Sequence, residues 1–204
     1  MSEIKYPNNI VKDKIIQYTK TSNQKKARLG ADFEDMINET NKYYLNKKIA
    51  AIYKKPTPIQ VVKTEYPKRS MSKITEAYYK TPSTTDYNGI YKGYYIDFEA
   101  KSCHSESFPF SKIFIHQIDH LRTVHEMGGI AFLLIEFPNK NTIFYLPVNL
   151  LLQEYNKMKS GGRKSIPYKF FEENAFLLKR TYNPQIDYLK CVDSIISLLS
   201  NKNN

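Results

Sequence analysis

Residues 84–101 read TTDYNGIYKGYYIDFEAK, and this stretch decides the fold. Its second half, from Tyr95 to Lys101, alternates polar and apolar side chains, which is the pattern of a half-buried strand. A turn around Lys92-Gly93 separates this strand from an earlier one that begins near Thr84. The stretch therefore predicts a β-hairpin with one face in the core.

Charged side chains collect on the other face of this hairpin. Because side chains of a strand repeat every two residues, Asp97, Glu99 and Lys101 share one face and the apolar residues between them share the other. Asp86 lies on the preceding strand and is expected beside Glu99. The result is a D-(x)12-E-x-K pattern.

This pattern is typical of metal-dependent phosphodiester hydrolysis. Carboxylate oxygens such as those of Asp86 and Glu99 are the ligands that hold Mg²⁺, which polarises a phosphoryl oxygen and activates water. The ammonium group of Lys101 is suited to stabilising the negative charge of the transition state. The same pattern on its own also fits a solvated strand face in a basic protein. For Asp97, ion pairing or support of its neighbours is favoured over direct metal binding.

A second metal hypothesis comes from the predicted helix at 111–127. His116 and His120 are four residues apart on one helical face, with Asp119 between them, as in zinc peptidases. No third ligand is evident, and histidines on the surface of an amphipathic helix are common, so the zinc hypothesis is the weaker one. Gln117 lies at the edge of the apolar stripe, where its amide oxygen either points into the site or simply borders the core.

Composition limits the class of protein. The chain has 204 residues and a formal net charge of +11, which favours a polyanionic partner, either nucleic acid or an acidic membrane surface. No run approaches the ~20 apolar residues that a spanning helix needs, and no secretory signal is recognisable, so we expect a soluble protein inside the cell. Cys103 and Cys191 form no CxxC pair and are expected to be free thiols.

The order of predicted elements describes one α/β domain with a basic arm. We expect a flexible arm at 1–27 and a single domain at 28–204, with a basic projection at 59–81. Further predicted elements are helices at 28–46, 111–127, 149–158 and 186–199, strands at 49–53, 130–137 and 142–148, and a basic Gly-rich loop at 160–164.

Six blocks of the sequence together resemble the RecU family of Holliday-junction resolvases, over about residues 30–188. Their order and spacing are far more specific than the nuclease pattern alone. The blocks are KKPTP at 54–58, YPKRS at 66–70, STTDYNG at 83–89, YIDFEAK at 95–101, SFP at 107–109 and GRKSI at 162–166.

The resemblance implies a restriction-endonuclease-like α/β fold, a mixed β-sheet flanked by helices with a projecting stalk. It also implies a homodimer that makes paired symmetric nicks in four-way junction DNA with Mg²⁺, for which Mn²⁺ can substitute. Recombinase and branch-migration proteins are further expected partners. The expected location is the cytoplasm, and no membrane partner is expected. By similarity, Thr84, Asp86, Glu99 and Gln117 serve the metal and Lys101 the transition state.

The projection at 59–81 matches the family's stalk, which enters the open centre of the junction. Arg69 matches a DNA-contacting arginine of the family, and Tyr66, Tyr78 and Tyr79 are suited to stacking on unpaired bases. An arm exchanged in the dimer is an alternative role that is compatible with the first. The other expected DNA contacts are Arg28, Lys54, Lys68, Lys73, Arg163 and Lys164.

Two departures from the family pattern weaken inferred DNA contacts. Leu29 separates Arg28 from the glycine that follows it in the family, and Gln185 replaces an arginine. Neither departure touches the expected metal site. Glu34 is a helical carboxylate that either assists this site or only solvates the helix.

A non-catalytic DNA-binding protein and a duplex endonuclease remain alternatives. The first is disfavoured by the Asp-Glu-Lys set and the second by the stalk.

Overall fold

The computed structural model describes residues 22–68, 71–79 and 84–202. The elements in chain order are α1 (Ser22–Asn46), β1 (Ala51–Lys54), β2 (Ile59–Lys68), β3 (Met71–Tyr79), β4 (Tyr87–Tyr91), β5 (Tyr94–Ser102), β6 (Ser107–Pro109), α2 (Ile115–Glu126), β7 (Ile130–Phe137), β8 (Thr142–Pro147), α3 (Val148–Lys159), β9 (Ser165–Pro167), α4 (Tyr168–Asn174), β10 (Phe176–Leu178) and α5 (Leu189–Lys202).

A mixed sheet of six strands forms the centre, in the order β1-β4-β5-β7-β8-β10. Strands β5 and β7 run parallel, and the other neighbouring pairs are antiparallel. A parallel pair needs a crossover connection, and α2 supplies it. The expected α/β class, a mixed sheet flanked by helices with a projection, is confirmed.

Each face of the sheet has its own apolar cluster. Helices α1 and α5 cover one face, where Ile96 and Phe98 are buried, and α2, α3 and α4 cover the other, where Leu133 is buried. The ring of Phe98 stacks on Tyr87 and on Phe132, with centroids 4.8 Å and 4.7 Å away. Every residue of β7 is buried, as its continuous apolar run predicts.

The projection is an antiparallel hairpin of β2 and β3. These strands form a separate two-stranded sheet, with Ile59 opposite Tyr79 at its base and Lys68 opposite Met71 near its tip. All side chains described in β3 are exposed. A separate hairpin therefore lies within the segment predicted as the stalk, and Arg69 lies outside the described residues.

Three predicted helix starts are wrong. Helix α1 begins at Ser22, because Gln24, Lys25, Lys26 and Ala27 are good helix formers and need no apolar stripe. Helix α2 begins at Ile115, after a 3-10 turn at Phe110–Lys112, so Phe114 precedes the helix and is 60% exposed. Helix α5 begins at Leu189, because Ile186 is held in a β-bridge with Arg180.

Small elements escaped prediction. Strand β10 has 3 residues and completes the sheet beside β8, and β6 pairs with β9 in a further short sheet. The first strand is shifted from the predicted 49–53 to Ala51–Lys54. Cys103 and Cys191 are buried free thiols, as expected. None of the described helices is long and apolar enough to span a membrane.

The division into a flexible arm at 1–27 and one domain stays a prediction. Residues 1–21 of the expected arm lie outside the described residues, and the remainder of that segment belongs to α1.

Candidate active site

Strand β5 carries the predicted acidic and basic residues on the face that α2 covers. Ile96, Phe98 and Ala100 belong to the core cluster on the opposite face, so the predicted alternation is present. Asp97 and Glu99 are nevertheless both 0% exposed. Packing of α2 over this face removes the two carboxylates from water. Their burial is therefore favourable only with hydrogen bonds and ion pairs to neighbouring groups.

Asp86 lies in a bend immediately before β4, and not within a strand as expected. Because Tyr87 pairs with Phe98 in the hairpin register, Asp86 comes beside the next residues of β5. Its backbone N–H donates to Oε2 of Glu99 over 3.0 Å, and the N–H of Ala100 lies 3.5 Å from its Oδ2. The hairpin therefore brings the two carboxylates together.

Glu99 is held by three donors. Besides Asp86, the Nζ of Lys101 forms an ion pair with its Oε1, and the Nε2 of Gln117 donates to the same oxygen over 2.6 Å. Burial raises the pKa of Glu99 to about 7; Lys101 opposes this rise and the charge of Asp86 adds to it. The carboxyl group thus lies in a place where the positive charge of Lys101 does not fully offset desolvation.

Gln117 is oriented differently from the predicted possibility that its amide oxygen enters the site. It is the third residue of α2, and its Oε1 accepts the N–H of Phe114 over 3.1 Å at the helix start. This reach back to the residue before the helix is a capping interaction. The amide nitrogen is therefore the group that faces Glu99.

Two open cavities flank Asp86 and Glu34. One of about 390 Å³ is also lined by Thr84 and Lys54, and another of about 300 Å³ is also lined by Lys101. Glu34 forms an ion pair with Lys54. Thr84 thus lies beside Asp86 across an accessible space, and Glu34 reaches the same space from α1.

A second group of contacts surrounds Asp97, which ion pairs with Lys55 over 2.9 Å. Thr85, Tyr95 and His120 also contact the Asp97 carboxylate. The expected ion-pairing role of Asp97 agrees with this geometry. The sequence pointed to Tyr95 and Asp97 through strand alternation, whereas the contributions of Lys55 and Thr85 were missed.

The zinc hypothesis for α2 gains no third ligand in the structure. His120 Nε2 lies 3.1 Å from Oδ2 of Asp97, and the Nε2 of His116 is buried without a hydrogen-bond partner. Among residues 22–68, 71–79 and 84–202, no group of three or more His, Cys, Asp and Glu side chains is arranged to hold a metal ion.

Basic residues approach the site from the loop at 160–164. The N–H of Phe110 donates to the carbonyl of Lys164 over 3.2 Å, which places this loop beside the turn that contains Lys112. Lys112 in turn donates to the carbonyl of Ser102 over 2.9 Å, next to Lys101. Arg163 and Lys164 are exposed, so this loop carries accessible positive charge.

The other expected DNA contacts are spread over the molecule. Lys54 borders the larger cavity and Lys73 is exposed on β3. The side chains of Arg28 and Lys68, and the whole of Arg69, lie outside the described part of the chain.

Comparison with known proteins identifies relatives over most of the chain. The family model of RecU, Recombination protein U, matches residues 28–194. A protein of Pediococcus pentosaceus named Holliday junction resolvase RecU is 50% identical over 174 residues, 85% of this chain and 87% of the relative. A protein of the same name from Bacillus cytotoxicus is 44% identical over 195 residues, 94% of this chain and 98% of the relative.

Among solved structures, Hjc of Archaeoglobus fulgidus, a Holliday junction resolvase from an archaeal hyperthermophile, aligns with a TM-score of 0.41 and 13% identity. The alignment covers 72% of this chain and 92% of Hjc. The family model and the relatives carry the assignment: the chain belongs to the RecU, or Recombination protein U, family.

Proposed function

We propose that this protein is an endonuclease that resolves four-way DNA junctions by metal-dependent hydrolysis, in recombination and repair in the cytoplasm. The observation that carries the proposal is that Asp86, Glu99 and Lys101 lie together beside open cavities. The relatives of the chain are named Holliday junction resolvases. We also propose recombinase and branch-migration proteins as partners.

The residues at the site fit a hard divalent cation. Asp86 and Glu99 supply carboxylate oxygens, which are the ligands that Mg²⁺ and Mn²⁺ take. The pKa of Glu99, raised to about 7 by burial, indicates a carboxyl group that added positive charge would stabilise as the anion. When bound, Mg²⁺ or Mn²⁺ would polarise a phosphoryl oxygen and lower the pKa of the attacking water.

The chain's own groups divide the remaining work. Asp86 and Glu99 hold the cation, and the ammonium of Lys101 pairs with the negative charge that develops on the phosphoryl oxygens. Gln117 keeps Glu99 in place through its amide nitrogen, and its oxygen would become a metal ligand only after the amide turns over. Thr84, which lines the cavity beside Asp86, completes the proposed metal-binding set.

The hairpin of β2 and β3 is the proposed junction-recognition element. Tyr78 is 61% exposed and Tyr79 is 85% exposed, and exposed aromatic rings stack on the unpaired bases of a crossover. Lys73 lies on the same hairpin, and Lys68 and Arg69 belong to its tip in the sequence. Together with Arg28, Lys54, Arg163 and Lys164 they are proposed to contact phosphates.

Two symmetric nicks require two active sites, so we propose a homodimer. The hairpin also exposes apolar side chains, with Ile59, Val62 and Ile74 each between 48% and 53% exposed. Apolar surface of this kind on a projecting element favours pairing with a second copy. The hairpin is therefore proposed to serve both dimerisation and entry into the junction.

The proposal is tested by comparing a labelled four-way junction with a linear duplex of the same sequence, in Mg²⁺, in Mn²⁺ and in EDTA. We expect nicks in the junction alone, and only with a divalent metal. Equal cutting of the duplex would indicate a general endonuclease, and tight junction binding without cutting would indicate a non-catalytic DNA-binding protein. Either result would overturn the proposal.

A further inference from the structure

Asp97 is a buried carboxylate outside the proposed set of metal ligands. Its Oδ2 accepts hydrogen bonds from Lys55 and Tyr95, each over 2.9 Å, and lies 3.1 Å from Nε2 of His120. Its Oδ1 accepts the hydroxyl of Thr85. We call these five residues the Asp97 cluster.

The Asp97 cluster joins separate parts of the chain. Lys55 directly follows β1 and begins the segment that leads into the hairpin of β2 and β3, while Thr85 directly precedes Asp86. Tyr95 belongs to β5, as Asp97 does, and His120 belongs to α2. One carboxylate therefore ties the root of the hairpin, the loop before β4 and helix α2 to the central strand.

Lys55 and Thr85 of the Asp97 cluster also determine the position of Asp86. The N–H of Lys55 donates to the carbonyl oxygen of Asp86 over 2.7 Å, and the Nζ of Lys55 donates to Oγ1 of Thr85 over 2.9 Å. Lys55 thus holds the carbonyl of Asp86, and Thr85 is the residue that precedes Asp86 in the chain. The side chains of Lys55 and Thr85 are both hydrogen-bonded to Asp97. The side chain of Asp86 is left to face β5.

We propose that Asp97 is a positioning residue: through Thr85 and Lys55 it fixes the backbone of Asp86, so that the Asp86 carboxylate faces Glu99. The same contacts join the root of the hairpin to this backbone. This inference rests on the proposed nuclease function. It assigns a role to a residue outside the proposed set of metal ligands and transition-state stabiliser.

Stability alone is a poor explanation for the Asp97 cluster. Asp97 is 0% exposed, and removing a carboxylate from water is unfavourable unless its paired donors have good geometry. Apolar residues of similar volume often serve stability equally well at such a place. A fully bonded buried carboxylate instead defines one arrangement of its partners, which is what a metal-binding carboxylate such as Asp86 requires.

The test compares Thr85→Val with Thr85→Ser. Valine keeps the shape of threonine but loses the hydroxyl between Lys55 and Asp97, whereas serine keeps it. For Thr85→Val we expect turnover at saturating junction and metal to fall at least about 10-fold, as for other residues that orient metal ligands, with junction affinity within about 2-fold. Thr85→Ser should restore most of the turnover. Lys55→Met serves as the second variant if Thr85→Val does not fold.

The matched control is Asp193→Asn. Asp193 also accepts hydrogen bonds from a tyrosine and a lysine, Tyr91 and Lys92, but it lies on α5 beside the hairpin turn of β4 and β5. The turnover of the Asp193→Asn variant should stay at the wild-type level. A thermal melt of each variant separates loss of folded protein from loss of turnover per folded molecule.

Binding of Mn²⁺ to each variant, measured by isothermal titration without DNA, is the second readout. We expect about 10-fold or greater weakening in Thr85→Val and recovery in Thr85→Ser. Wild-type turnover and Mn²⁺ affinity in folded Thr85→Val, or equal losses in the valine and serine variants, would overturn the positioning role. If the wild-type protein cuts no junction at all, the proposed function fails, and the Mn²⁺ titration still decides the positioning of Asp86.

Discussion

The backbone N–H of Asp86 donates a hydrogen bond to Oε2 of Glu99 over 3.0 Å, across the gap between the loop before β4 and strand β5. Residues 13 apart in sequence are thereby joined at the point where both carboxylates reach the same site. This contact holds the backbone of Asp86 against the carboxylate of Glu99 at the proposed metal site.

Asp86→Asn and Glu99→Gln should each reduce junction cleavage by more than about 100-fold, which exceeds the usual effect of losing a residue that only supports a metal ligand. Junction affinity should change by no more than a few-fold, because Lys and Arg contacts to phosphate dominate binding. Single-turnover cleavage and gel-shift titration of the same preparations measure the two quantities. Cleavage at the wild-type rate by either variant would remove that residue from the site.

Lys101→Ala should slow cleavage by about 100-fold, the order expected when one transition-state donor is lost. The affinity for Mn²⁺ should not fall, because the ammonium group is not a ligand. The titration is best done at pH 8.5, because loss of Lys101 removes an interaction that lowers the pKa of Glu99 and a high pH favours the anion of this carboxyl group. Loss of Mn²⁺ binding at this pH would contradict the role assigned to Lys101.

Glu99→Gln should stabilise the metal-free protein at pH 8. A raised pKa means that folding favours the protonated Glu99, so its stabilising effect is present below about pH 4.5 and is lost as the pH rises to about 7. The variant should therefore be more stable than the wild type by about 1–3 kcal/mol at pH 8, and this advantage should disappear near pH 4.5. Thermal melts in EDTA at both pH values test this, and equal stability at pH 8 would be the contrary result.

Deleting the hairpin should remove junction preference without unfolding the rest. A short turn that replaces residues 59–81 leaves the six-stranded sheet intact, because β2 and β3 form a separate two-stranded sheet. Affinity for the junction should fall to that for duplex DNA. Tyr79→Ala alone should cost about 1–3 kcal/mol of junction binding if its ring stacks on a base. An unchanged ratio of junction to duplex affinity would show that recognition lies elsewhere.

The sequence was sufficient for the strand of the proposed site, β5, because the relevant contacts are local. Asp86, Glu99 and Lys101 lie in one hairpin, where strand alternation and turn residues determine which side chains meet. The continuous apolar run of β7 similarly indicated a strand buried on both faces.

The remaining parts of the site depend on tertiary packing. Lys55 meets Asp97 from 42 residues away, and no local pattern relates the two. The orientation of Gln117 depends on where α2 begins, and Phe114 was assigned to the helix although it precedes it. Strand β10 is too short for its period to be recognised, and it forms because β8 offers an open edge.

The most direct test of the account maps the cut positions on a mobile-core four-way junction, with each of its four strands labelled in turn, for the wild type and for Asp86→Asn. We predict paired nicks at symmetry-related positions in two opposite strands with Mg²⁺ or Mn²⁺, and no nicks in the variant. Nicks in unrelated positions, or nicks that persist in Asp86→Asn, would contradict symmetric resolution at the site formed by Asp86 and Glu99.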